Sequence, residues 1–175
     1  MRDRGASFMR RTQRGFTLLE LLVVIVIIAV LGGMTALAVR DRDAQGLVDR
    51  EAERLVLLLG GLREDALFSY RPVAVFFHQD GYRFLLGEAA GWIDFPDTLF
   101  RPREFPADME AVLYVEGRPV VLETEGSGDA DPQVVFFPDT GAIPFELVLR
   151  LADAAPRTLA GSPSGRVHIK ERQGA

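Results

Sequence analysis

Few residues in this chain are equipped for chemistry, and most of them stand where chemistry is difficult. Among 175 residues there are two histidines, His78 and His168, and no cysteine. The lack of thiols excludes disulfides, zinc thiolate sites and thiol nucleophiles together, while leaving the redox compartment open. Each histidine lies in a strand-like run without a second ligand at metal spacing, so a structural role is expected of both. Ser162 and Ser164 alternate with Gly161, Pro163 and Gly165 and lack the strand-turn-helix context of a nucleophile elbow, so they read as turn residues. Glu123, Glu125, Asp129 and Asp131 could gather around calcium, but their order fits no known calcium-loop spacing; a solvated acidic loop is expected. The chain is accordingly not read as an enzyme, and no catalytic residue, metal or cofactor is expected.

The remaining candidate is Glu20, a carboxylate inside "RGFTLLELLVVIVIIAVLGGMTALAV", Arg14 to Val39. No charged side chain follows it between Leu21 and Val39, a run that as a helix spans roughly 28 Å, close to the ~30 Å hydrocarbon core of a bilayer. Arg10, Arg11 and Arg14 precede it and place the amino terminus in the cytoplasm by the excess of basic residues on that side. A secretory signal cleaved near Ala36-Leu37-Ala38 would share this layout. A plain uncleaved anchor would leave Glu20 unexplained, because an intramembrane carboxylate costs about 2.5–3.5 kcal/mol on insertion scales.

The elements that must position these residues follow from periodicity. Beyond Val39 the apolar residues Ala44, Leu47, Val48, Ala52, Leu55, Leu59, Leu62 and Ala66 recur three or four apart and trace one helix face. Charged residues from Arg40 to Glu64, Glu51 among them, are expected mostly on the solvated side. Residues 16–68 thus predict one helix of about 80 Å, with Gly32-Gly33 and Gly60-Gly61 as candidate bends. After Ser69 short β-rich runs alternate with turn residues. "PVAVFFHQ" and "GYRFLLG" predict a hairpin at Gln79-Asp80-Gly81, since Asp-Gly readily supplies positive φ, and "AVLYVEGRPVVLE" predicts another at Glu116-Gly117. "QVVFFPDTGAIPFELVLRLA" predicts a third at Pro138-Asp139-Thr140-Gly141, and "GRVHIKE" a last strand. Glu88 to Ala107 and Thr124 to Pro132 read as loops. The fold class is α+β: a long amino-terminal helix on an antiparallel head, expected as two small sheets.

Two motifs carry a family resemblance. Gly15-Phe16-Thr17-Leu18-Leu19-Glu20, behind a basic leader and ahead of an apolar helix, resembles the class III signal of type IV pilins and type II secretion pseudopilins. The hairpin "FFPDTGAIPFELVLR", Phe136 to Arg150, followed by Gly165-Arg166-Val167, is similar to the H-type minor pseudopilins (the GspH/FimT family). The resemblance implies a leader over 1–15 removed by a prepilin peptidase between Gly15 and Phe16, with methylation of the new amine on Phe16. It further implies a transmembrane and assembly helix over 16–39, an amphipathic helix over 40–68 and a periplasmic head over 69–175. Glu20 then becomes the fifth mature residue, one helical turn from that amine, and the implied role is to set subunit register against a neighbour's terminal cation. Implied partners are other minor and major pseudopilins, the prepilin peptidase and the inner-membrane assembly platform, with a separate cytoplasmic ATPase as the source of energy. The implied location is the bacterial inner membrane, single-pass, and then a periplasmic pseudopilus, with a place near or at its tip supporting protein export.

The alternative within the same resemblance is a FimT-type minor pilin binding DNA for uptake. It would use Arg166, Lys170 and Arg172, which with Glu171 give the tail a local charge of +2. The charge distribution weighs against it. Residues 1–15 carry +4 in a chain of net −5, which leaves −9 on residues 16–175; three cations on an acidic body make few phosphate contacts, so nucleic-acid binding is not expected.

Overall fold

Val48, Ala52, Leu55, Leu59, Leu62 and Ala66 share one face of the helix α1 (Leu18–Ser69), and each is no more than 1% exposed. A computed structural model describes residues 18–124 and 131–171, with the backbone alone for residues 30–42. Contacts divide the chain into two units, Met1–Val39 and Arg40–Ala175. In the first, Leu18–Ala29 is helical with every side chain exposed. Among the described residues no helix is both long and apolar enough to cross a membrane; the span expected over 16–39 runs into residues whose side chains lie outside the description.

The second unit holds the core of the described residues. Its strands are β1 (Val73–His78), β2 (Gly81–Glu88), β3 (Gly91–Asp94), β4 (Arg103–Glu104), β5 (Glu110–Val115), β6 (Arg118–Val120), β7 (Val134–Phe137), β8 (Gly141–Ala142), β9 (Phe145–Arg150), β10 (Arg157–Gly161) and β11 (Val167–Ile169). They form two sheets, one ordered β3-β2-β1-β7-β8 with β4 also on β2, the other β11-β10-β9-β5-β6. Every pairing is antiparallel, and the short connections β1–β2, β2–β3 and β5–β6 require it of theirs. One hydrophobic core joins the buried face of α1 to Val75, Phe77, Tyr82, Phe84 and Phe136 of the first sheet and Leu113, Leu147, Leu149 and Leu159 of the second. The expected α+β head with two sheets packed with the carboxyl half of the helix is what the chain forms.

Strand alternation sends Phe76 to the opposite face from Phe77, yet Phe76 is also only 3% exposed. It belongs to a small second cluster with Ala74 and Leu85, flanked by Trp92 and Val135. The Arg83 guanidinium lies 4.9 Å from its ring centre, so a cation lids the apolar patch.

Several local readings are corrected. The β1–β2 hairpin forms as predicted, with His78 opposite Gly81, but Gly81 does not have positive φ. It is needed because β4 crosses close by: a Cβ there would overlap the Arg103 carbonyl oxygen. At Glu116-Gly117, by contrast, φ is 51° and 77°, the two positive values of a type I′ turn. Glu88 to Ala107 is not a loop; it carries β3, a 3-10 turn at Thr98–Phe100 and β4. The third hairpin is cut short. Only Phe136 and Phe137 pair with β8; the chain then passes through Ile143-Pro144, and β9 joins the other sheet between β5 and β10. Pro144 has no N–H to extend a ladder, and its carbonyl instead accepts from Glu116 N–H at 2.9 Å. Strand β10 was not foreseen at all.

Candidate assembly and partner-binding surfaces

Gly15 and Phe16, the proposed cleavage and methylation positions, lie outside the described residues, as does Arg172. Glu20 is exposed in the first turn of α1, among Leu18, Leu19 and the run Leu21 to Ile28, which are each 42–82% exposed. A helix that is apolar on all sides and bare on the single chain must be covered by lipid or by other helices.

Polar contacts fix the carboxyl half of α1 to the head. Glu51, expected on the solvated side, is 1% exposed. Its spacing explains why: three residues after Val48 and four before Leu55, it shares their face. Its two oxygens are satisfied by the Tyr82 hydroxyl at 2.8 Å and by Arg54 at 2.6 Å, which is the condition for keeping a carboxylate in a core. Burial, and then the Glu51 carboxylate, push the Tyr82 phenol well above its ordinary range. Nearer the start of the unit, Gln45 accepts from Ala155 N–H at 2.9 Å, and Arg157 donates to Asp49 at 2.6 Å. The bond to Asp49 holds the Arg157 guanidinium above its usual value.

Further along α1 a cleft of about 580 Å³ is lined by Gly60, Arg63 and Glu64 and by Ser162, Ser164, Gly165, Arg166, Val167 and His168. The loop across it is a tight turn, as read from the sequence. Gly165 N–H bonds Ser162 carbonyl at 2.9 Å, and Gly165 has φ 76°. The serine hydroxyls lie 3.0 Å from each other, and Ser162 donates to the Arg166 carbonyl at 3.1 Å, which is turn chemistry and not activation of a nucleophile. Arg63 donates to the Ser164 carbonyl at 3.0 Å and Arg166 to the Ser164 hydroxyl at 3.4 Å. His168 is exposed at the edge of this cleft; His78 is buried at the end of β1, its ring 6.4 Å from that of Phe76.

Of the tail cations, the two that are described line different surfaces. Arg166 opens on the cleft, whereas Lys170 pairs with Glu146 at 2.5 Å and borders a groove shared with Asp49, Glu53, Arg157 and Glu171. Of the acidic quartet, Glu125 and Asp129 lie outside the described residues, and Glu123 and Asp131 are exposed. Among the described residues no group of three or more His, Asp or Glu side chains gathers as a metal site would require. Sequence reasoning missed Arg63 and the open position at Gly60, although the Gly60-Gly61 pair marked the place.

Comparison with known proteins fits this architecture. Residues 10–36 match the prokaryotic N-terminal methylation motif, and residues 51–165 match the type II transport protein GspH model. The chain is 32% identical over 176 aligned residues to the type II secretion system protein H of Pseudomonas aeruginosa, covering 93% of this chain and 99% of that one. Its fold matches the crystal structure of the minor pseudopilin EpsH from the type II secretion system of Vibrio cholerae, with a TM-score of 0.63 at 16% identity over 75% of this chain and 98% of that one. It also matches the solution structure of GspH from Escherichia coli, with a TM-score of 0.56 at 19% identity over 73% and 89% of the two chains. With an H-type head, a methylation motif before it and a relative matched almost end to end, the chain belongs to the GspH family of type II transport proteins.

Proposed function

We propose that the chain is a minor pseudopilin of a type II secretion system: a structural, non-catalytic subunit of a short periplasmic filament, near or at its tip, that supports protein export across the outer membrane. The observation that carries this reading is the near-complete alignment with a type II secretion system protein H. The segment over 16–39 anchors the subunit in the inner membrane, leader inside and head periplasmic. The prepilin peptidase cuts after Gly15, and the new amine of Phe16 is methylated. Glu20 sets subunit register, and the platform, with the major and other minor pseudopilins, incorporates the chain. Physical support comes from the exposed apolar helix at Leu18–Ile28, which requires neighbours. Mass spectrometry of the mature chain tests the processing, with methyl-Phe16 expected and a start near Arg40 refuting it. Loss of type II export in a deletion strain, restored by the wild-type chain, tests the role. Unimpaired export in that strain refutes it.

A further inference from the structure

Gly60 stands in the interior of α1, where glycine is less stable than alanine because it gives up more backbone freedom. The head gives no reason for it: a Cβ at Gly60 would meet nothing within 4 Å, whereas one at Gly61 would touch Phe100 at 3.6 Å. An unforced glycine on a helix bares a strip of backbone, and here that strip lines the cleft already described. Two guanidiniums, those of Arg63 and Arg166, line the same cleft. Among the described residues neither Arg63 nor Arg166 has an ion pair; their bonds go to the carbonyl and the hydroxyl of Ser164, leaving further N–H groups for an outside acceptor. Ser162 and Ser164 add hydroxyls, and Val167 adds an apolar wall.

We propose that this cleft is a docking site for an acidic segment of a neighbouring filament subunit, its backbone laid along Gly60 and a carboxylate held between Arg63 and Arg166. The proposal rests on the filament role given above. A single carboxylate suits the site better than a polyphosphate. Planar guanidiniums bind carboxylates through paired N–H groups, while Glu64 at the rim and the −9 carried by residues 16–175 oppose a repeating negative charge. Lys170, which would extend a phosphate-binding strip, is already paired with Glu146.

The test uses the full chain in its own envelope, with a photo-crosslinking amino acid at Ser164 and, in a second strain, at Ile25 in the apolar helix. The Ser164 probe is expected to yield an adduct with another pseudopilin, mapped by mass spectrometry to a segment with an Asp or Glu within three or four residues of the link. Arg63→Glu with Arg166→Glu should cut that adduct at least about tenfold, leave the Ile25 adducts in place, and recover it when the partner's acid is exchanged for Arg. Gly60→Ala should raise the thermal midpoint by about 2–4 °C and yet weaken the Ser164 adduct. An adduct with DNA, one with an apolar or basic segment, the absence of any Ser164 adduct, or indifference to both charge reversals overturns the proposal. Loss of the Ile25 adducts from the wild-type chain overturns the filament reading as well, so the two failures are told apart.

Discussion

Replacing Tyr82 by Phe removes one oxygen from the centre of the head and little else. The ring keeps its neighbours Phe77, Phe84 and Phe105, at 6.1, 5.6 and 5.4 Å between centres, so no cavity of consequence opens. What is lost is a hydrogen bond to a carboxylate that is 1% exposed. A bond to a charged group contributes about 1.5–3 kcal/mol, and Glu51 retains only Arg54, itself half in solvent, so the upper part of that range is expected. For a folded unit of this size, the thermal midpoint should fall by roughly 5–10 °C. Urea unfolding of the full chain in detergent, followed through the single tryptophan, Trp92, measures the difference directly.

The same residue gives a pH signature that a packing defect would not. The Tyr82 phenol is raised in the folded protein above its ordinary value of 10.0. The folded state therefore holds a proton that the unfolded chain releases above pH ~10, and the stability gained from this group is complete below that pH and declines above it. Other groups titrate alike in wild type and Tyr82→Phe and cancel in the difference. The gap between the two proteins should be constant from pH 7 to 9 and narrow by about 1.4 kcal/mol at pH 11. A gap below about 0.5 kcal/mol at neutral pH, or one that stays constant through pH 11, would refute the account of Glu51 as a buried acceptor sustained by Tyr82.

Three further outcomes are expected. Glu20→Ala should reach the membrane at normal levels but be lost from the cross-linked filament fraction; normal recruitment would remove its register role. Gly141→Ala should destabilise the head by roughly 2–4 kcal/mol in denaturant unfolding, since φ is 89° there and a Cβ would overlap the Pro163 carbonyl oxygen. Gln133→Ala should cost about 1–2 kcal/mol, because the Gln133 amide accepts from Phe77 N–H at 2.8 Å and donates to its carbonyl at 3.0 Å, standing in for a strand residue where the β1–β7 ladder ends.

How far the fold was legible depended on whether the deciding force was local. The helix stripe from Val48 to Ala66 is a 3.6-residue period, and the Glu116-Gly117 turn needs two positive φ values; both are written within a few adjacent residues. Glu51 is different: its spacing from Val48 and Leu55 points inward while its charge points outward, and the partner that decides between them, Tyr82, lies 31 residues away. Strands β3, β4 and β10 escaped for a related reason. Each is only two to five residues long and is stabilised by the strand it joins, not by its own alternation. The cleft was half visible: Ser162 to Arg166 read as a turn, but nothing in the sequence says that Arg63 crosses to meet it.

The stretch from Phe136 to Arg150 shows why a short motif can be specific without being a catalytic signature. Phe136 is in the core and Phe137 is 38% exposed. Gly141 turns at positive φ so that the chain can run against the next loop, where Ala142 N–H bonds the Pro163 carbonyl at 3.0 Å. Pro144 ends the first sheet, and its carbonyl takes the Glu116 N–H from the second. Phe145 then starts β9 with its ring over Gly161, where any Cβ would collide with it. Phe136, Gly141, Pro144 and Phe145 are thus each fixed by the core or by a contact at the joint where the two sheets meet. A sequence that keeps Phe, Gly, Pro and Phe in this order keeps the joint, and with it the orientation of the second sheet that carries Ser162 to His168. If that is the physical content of the motif, Gly161→Ala should disturb the cleft without touching it, lowering both thermal stability and the Ser164 adduct. A loss of stability with the adduct unchanged would mean that the joint and the cleft are independent.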